Sequence, residues 1–289
     1  MTTTQRSASL LPGIACSVVV LAGIHLPIYS EASTSLCKAT PSYAVTTSWL
    51  ECCLRNVAGE DANVVRLCPP GSCPGHFDLN PGALSDLRKC RMLFLFDFQK
   101  GLEEKVGGLP GSRLVVAPVK APEGLCVPDS YLEGCRAVHD ALVTAQPDKK
   151  AAFDFALERV RVRMADLDLI LRKEVNASGA SGVRAVTSGR QAAFCRWLGL
   201  DVVATYSGGE AASPVQLESL IKLGKKAEVR LVVANLQEGR QIGETIAGQL
   251  GARLVVFSNF PSMAENQSSF DALLRDNVAQ LVRTVCGQP

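Results

Sequence analysis

Aromatic residues make up only 6% of the 289-residue chain, and they do not alternate with its lysines and arginines. Formal net charge is +2 and no long basic block occurs. Nucleic-acid binding needs phosphate neutralisation and stacking platforms, so that class of partner is excluded. Catalytic signatures are missing too. There is no H-E-x-x-H pair, no Ser-His-Asp arrangement and no glycine-rich cofactor fingerprint, and SGGEAAS at residues 207–213 lacks the lysine of a phosphate loop. The absence of any C-x-x-C argues against a thiol-redox protein. Histidine is scarce, with three in the chain. An exported thiol-redox or metal-dependent enzyme stays as an alternative, but the expectation is a protein that is not an enzyme.

What is present is an ordinary globular balance of 47% apolar and 20% charged residues. The N-terminus reads as an export signal over residues 1–32. MTTTQRSAS carries Arg6 and no acid, an apolar run spans residues 10–26, and Ser30 and Ala32 fit small-x-small cleavage. The same run is almost long enough to serve as an uncleaved anchor, a role that Pro12 and His25 weaken. The expected location is the periplasm or the outer face of the membrane. Of the 11 cysteines, Cys16 lies inside the signal, and eight of the other ten precede residue 140. An even number in an oxidising compartment suits disulfides, whereas the same residues as thiolates suit a metal.

Apolar periodicity predicts strands at 43–47, 64–67, Met92–Phe96 and 114–118, with helices at 49–58, 81–89 and 132–144. Residues 148–175 contain no Gly or Pro. Phe153, Leu157, Val160, Met164, Leu167 and Leu171 recur there at helical spacing. The second half repeats the pattern, with strands at 183–188, Asp201–Tyr206, 229–234 and Arg253–Phe257, and helices at 191–198, Gln241–Leu250 and 270–285. Alternation of this kind implies parallel sheets. The predicted fold is α/β with two lobes, each a mostly parallel sheet flanked by helices. The N-terminal lobe spans 41–147, one long rigid connecting helix 148–176, and the C-terminal lobe 180–289. An internal echo supports two copies of one plan: VVRLCPPG precedes Pro81, Leu84, Leu87 and Lys89, and VVATYSGG precedes Pro214, Leu217, Leu220 and Lys222.

The stretch LCPPGSCPGHFDLNPGALSDL, residues 67–87, places Cys73, His76 and Asp78 on a stiff turn after an apolar strand. Ligands in open α/β sheets bind beyond the carboxyl ends of strands. Cys73 and His76 form C-x-x-H, a spacing at which one turn offers a thiolate and an imidazole to one ion. The alternative is a disulfide-pinned loop with a packing histidine. His139, in RAVHDAL, reads as a surface or helix-packing residue. Cys52 and Cys53 are adjacent and cannot easily bridge one ion, so one of them is expected to be buried.

From about residue 43 to residue 285 the chain resembles the periplasmic zinc/manganese-binding proteins of ABC-type metal importers. The resemblance rests on YAVTTSWLECCLRNVAGEDANVVRLCPPG, PGHFDLNPGALSDL, the long helix, YSGGEAASPVQLESLIK and IGETIAGQLGARLVVF. It implies a solute-binding component that takes up a metal between its lobes and docks, as a monomer, on a membrane permease. The cargo it implies is a divalent metal, zinc foremost, with no resident cofactor. The family's ligand positions depart here. Gly75 stands where its first histidine would be, residues 122–126 hold no histidine, Arg190 falls at the third position, and Asn235 and Ser258 follow the strands that would carry carboxylates. Cys126 lies where the second ligand would be, which gives the replacement set Cys73, His76 and Cys126, soft enough for zinc or copper(I). Against it stands a disulfide from Cys68 or Cys73 to Cys126. Arg190, with Asn235 and Ser258 as further cleft candidates, points to a second cargo: a metal chelate or an anionic solute.

Overall fold

The run Met92–Phe96 is apolar at every position because both its faces are covered. In the structure, a computed structural model that describes residues 43–70, 80–107, 113–208, 213–264 and 269–287, this run is strand β3. It lies between β1 (Tyr43–Val45) and β4 (Val115–Val119), with β2 (Val64–Arg66) at the edge beyond β1. All the pairings are parallel. Met92, Phe94 and Phe96 enter the main core, while Leu93 and Leu95 point the other way, onto Leu87, Cys90 and Val106.

The C-terminal lobe repeats this plan. Strands β5 (Arg184–Ser188), β6 (Asp201–Tyr206), β7 (Leu231–Asn235) and β8 (Arg253–Phe257) form a parallel sheet in the order β6-β5-β7-β8, the counterpart of β2-β1-β3-β4. The sequence echo falls on equivalent elements. Edge strands β2 and β6 each precede a helix with proline in its first turn, α2 (Pro81–Leu87) and α7 (Pro214–Lys226).

The remaining helices are α1 (Ser48–Ala58), α3 (Lys100–Gly107), α4 (Pro128–Ala145), α5 (Lys150–Ala177), α6 (Ala192–Trp197), α8 (Gln241–Leu250) and α9 (Phe270–Cys286). Helix α3 was not foreseen. Helix α4 starts earlier than residue 132 because Pro128 supplies its first turn. The long helix starts at Lys150, since residues 147–149 form a 3-10 turn. It runs 28 residues, about 42 Å at 1.5 Å per residue, and buries Phe153, Val160, Met164, Leu167, Leu171 and Val175.

That stripe packs into one hydrophobic core that continues through both lobes. Tyr131 of α4 stacks on Phe270 of α9 at 3.8 Å, so a ring from each lobe meets at the centre. Cys52 and Cys53 are both buried, not one alone, because α1 is covered by its sheet on one side and by α4 and α5 on the other. Among the described residues no helix is long and apolar enough to cross a membrane.

Candidate functional site

Parallel strands leave their carboxyl ends on one side of each sheet, and among the described residues the segments after β1, β4 and β8 meet between the lobes. On the N-terminal side, Thr46 Oγ1 donates to Gln99 Oε1 at 2.8 Å, which ties the ends of β1 and β3 together. Thr47 caps α1 by accepting from Leu50 N. Ser48 Oγ then reaches across the lobes and donates to the Pro261 carbonyl at 2.8 Å.

The C-terminal side is built from amides and hydroxyls. Asn235 ends β7, and its Oδ1 accepts from Gln237 N at 2.9 Å. The Gln237 side chain bridges to the end of β8, donating to Ser258 Oγ and accepting from Asn259 N, each at 3.0 Å. Asn277, buried on α9, accepts from Ser258 N and donates to the Ser258 carbonyl. Gln191 donates to Asn259 Oδ1 at 3.0 Å. These residues hold one another, and the strand ends are thereby rigid.

Cys126 belongs to this seam. Its thiol donates to the Ser258 carbonyl at 3.1 Å and lies 3.7 Å from both Asn259 Oδ1 and Asn277 Nδ2. Burial pushes its pKa well above the ordinary thiol range, so the sulfur is protonated at neutral pH. It carries a free thiol, which corrects the disulfide weighed for it: the sulfur is spent on the Ser258 carbonyl of the opposite lobe.

Glu238 is the charged member of the site. Its carboxylate accepts from Ser188 Oγ, and Arg190 Nε lies 3.7 Å from its other oxygen. A side chain at Gly208 would overlap the Glu238 carboxylate, so the backbone there closes over it. Nearby Tyr206 donates to the Val233 carbonyl, and its hydroxyl pKa is raised by burial and then by Glu238. Arg190 is exposed, with its guanidinium open to solvent on the far side of the pair.

The structure therefore brings Cys126, Ser258 and Asn235 into one hydrogen-bonded seam and sets Arg190 beside it on Glu238. Cys73 and His76 lie outside the described residues. Among the described residues no three His, Cys, Asp or Glu side chains converge as a metal site. His139 packs as expected, its ring between Asp140 and Asp154 at 2.9 and 2.8 Å, tying α4 to α5. Sequence reasoning missed Glu238. The available signal was an acid three residues beyond a strand end, in a turn closed by Gly239.

The family profile of ZnuA, described as the periplasmic component A of the zinc-uptake complex, matches residues 126–284, more than half of the chain. No curated protein matches it significantly by sequence. Among solved structures, the manganese-bound periplasmic metal-binding protein of Candidatus Liberibacter asiaticus superposes with a TM-score of 0.72 at 12% identity, over 84% of this chain and 99% of that one. A crystal structure of ZnuA gives 0.70 at 15% identity, over 84% and 98% of the two chains. A zinc-bound ZnuA lacking its residues 138–173 gives 0.69 at 16% identity, over 86% and 99%.

Proposed function

We infer that this chain, which belongs to the ZnuA family of periplasmic zinc-uptake components, is an exported solute-binding protein that captures a divalent metal between its lobes and delivers it to an ABC-type permease. No bond is made or broken in that task. Zinc is the proposed cargo.

The observation that carries the reading is the pair of matching parallel sheets whose carboxyl ends meet in a rigid polar seam, within a chain more than half matched by the family profile. The proposed metal-binding residues start with Cys73 and His76, which follow β2 in the sequence. They offer a thiolate and an imidazole. Glu238, held by Ser188, supplies the carboxylate. Cys126, expected from sequence as the third ligand, would first have to release the proton that it donates to Ser258. A second reading is favoured by the exposure of Arg190: its guanidinium would take the carboxylate of a metal chelate or another anion.

The test is a metal titration of the purified protein, followed by melting temperature and by calorimetry, with zinc, manganese and copper(I). We expect zinc to stabilise the wild type, and the gain to be lost in His76→Ala and reduced in Glu238→Gln. No response to any metal, together with stabilisation by a chelate or an oxyanion that Arg190→Ala abolishes, would overturn the bare-ion reading in favour of the second.

A further inference from the structure

Helices α1 and α4 follow two strands of the N-terminal sheet and pack against each other in the core. Residues four apart on each helix share a face, and here the two faces meet in step. Trp49 of α1 meets Tyr131 of α4 edge-on at 5.3 Å. One turn further along both helices, the thiols of Cys53 and Cys135 share a hydrogen bond. Gly134 makes this approach possible. A Cβ there would overlap the Trp49 ring and lie 3.5 Å from the Cys53 sulfur. Cys52 is directed elsewhere, to the backbone of Phe270 on α9, because one residue along a helix is about 100° round it.

This geometry suits a covalent link. Packed helices lie about 8–10 Å apart axis to axis, and their Cα atoms sit about 2.3 Å off each axis, so facing Cα atoms are separated by roughly 3.5–5.5 Å. A disulfide spans about 4.4–6.8 Å between Cα atoms, so side-by-side helices in glycine contact need little movement to accept one. Both cysteines are 0% exposed. Burial, and then Cys135, holds the Cys53 thiol well above its ordinary range, so the folded protein presents no thiolate there to an oxidant or a reductant. A bond between them therefore forms while α1 and α4 are docking, and once inside the core it persists.

We propose that Cys53 and Cys135 are a disulfide pair that joins α1 to α4 when the chain folds in an oxidising compartment. The compartment rests on the export reading above; the pair itself rests on the contact between the helices. The oxidant is an organic disulfide, glutathione disulfide or an oxidised dithiol. One thiolate of the pair attacks it and expels a thiolate, giving a mixed disulfide. The second thiolate of the pair then displaces the other half. In sum, two thiols of this chain lose two protons and two electrons, and the organic disulfide takes them up as two thiols. The link closes a loop that carries β2, α2, β3, α3 and β4, which removes conformations from the unfolded chain. Cys126, held by Ser258, stays outside it.

Disulfide mapping of the full chain tests this. The reduced, unfolded protein is refolded in a mixture of reduced and oxidised glutathione, then unfolded, alkylated, digested and mapped by mass spectrometry. The same mapping is made on protein recovered from an oxidising compartment. The peptides of Cys53 and Cys135 are expected to be linked to each other in both samples, with Cys126 alkylated. Cys52→Ala should keep the link, and Cys53→Ala and Cys135→Ala should each lose it. Wild type refolded in glutathione should melt at least about 4 °C above wild type refolded under reductant, and that difference should vanish in Cys135→Ala. Alkylated Cys53 and Cys135 after refolding in glutathione, a link from Cys135 to Cys52 or to another cysteine, or a reductant-dependent shift that survives in Cys135→Ala would overturn the proposal. A link that forms on refolding but is missing from the recovered protein would support the pair and overturn export instead.

Discussion

Thr187 is fully buried at the penultimate position of β5, and its hydroxyl has no hydrogen-bond partner among the described residues. Gln191 Oε1, a few residues on, is in the same position although its amide donates to Asn259. A buried polar atom without a partner costs about 1–3 kcal/mol. Thr187→Val keeps the branched shape and removes the orphaned oxygen, so we expect the variant to be more stable by about 1 kcal/mol, read as a rise in the midpoint of urea denaturation. Single residues are also where the sequence was least legible. Cys126 and Ser258 are 132 positions apart, so nothing in the spacing of either marks their hydrogen bond. The thiol therefore read as a disulfide half, a ligand or a buried group, with the disulfide foremost. The burial that decides its protonation exists only once the lobes have closed on each other.

Elements were more legible because their signals are local. The strands β3, β6 and β8 show as short apolar or β-branched runs, and α5 shows as a gap in Gly and Pro with a repeating stripe. Helix α3 escaped because Lys100–Gly107 contains only Leu102 and Val106 as large apolar residues, too few to show a period. Caps are also local, and α7 has a full one. Ser213 accepts from Gln216 N at 3.2 Å while Gln216 Oε1 accepts from Ser213 N at 3.4 Å, a reciprocal box in front of Pro214. We expect Ser213→Ala to destabilise the protein by about 1 kcal/mol, measured by chemical denaturation. Ser213→Asp should recover most of the loss, since a carboxylate can accept the same amide and favours a helix N-terminus.

At the scale of the molecule, the two lobes are one folding unit, since a single core passes through both. Phe270 is fully buried there against Tyr131. Phe270→Ala would open a cavity at the junction and is expected to cost about 3–5 kcal/mol. Calorimetry should show the wild type unfolding in one transition, and the variant likewise in one transition at lower temperature. Two resolved transitions would mean that the lobes unfold separately. The two-lobed plan itself was legible, from the alternation of elements and from the echo before Pro81 and Pro214. The polar closure between the lobes was not, because it is made by turns whose partners lie far apart in the chain.

Helix α5 also sets an angular relation between the halves. Because each residue advances an α-helix by about 100°, inserting one residue near its middle would swing everything downstream by that angle about the helix axis. Met164, Leu167 and Leu171 would leave the core, and the turns carrying Glu238 and Ser258 would rotate away from Ser48 and Cys126. Inserting seven residues would nearly restore the angle but lengthen the helix by about 10 Å, which parts the same turns by translation. The number of residues in this helix is therefore as tightly constrained as any side chain in the seam, and length variation in such a chain is expected at its surface turns.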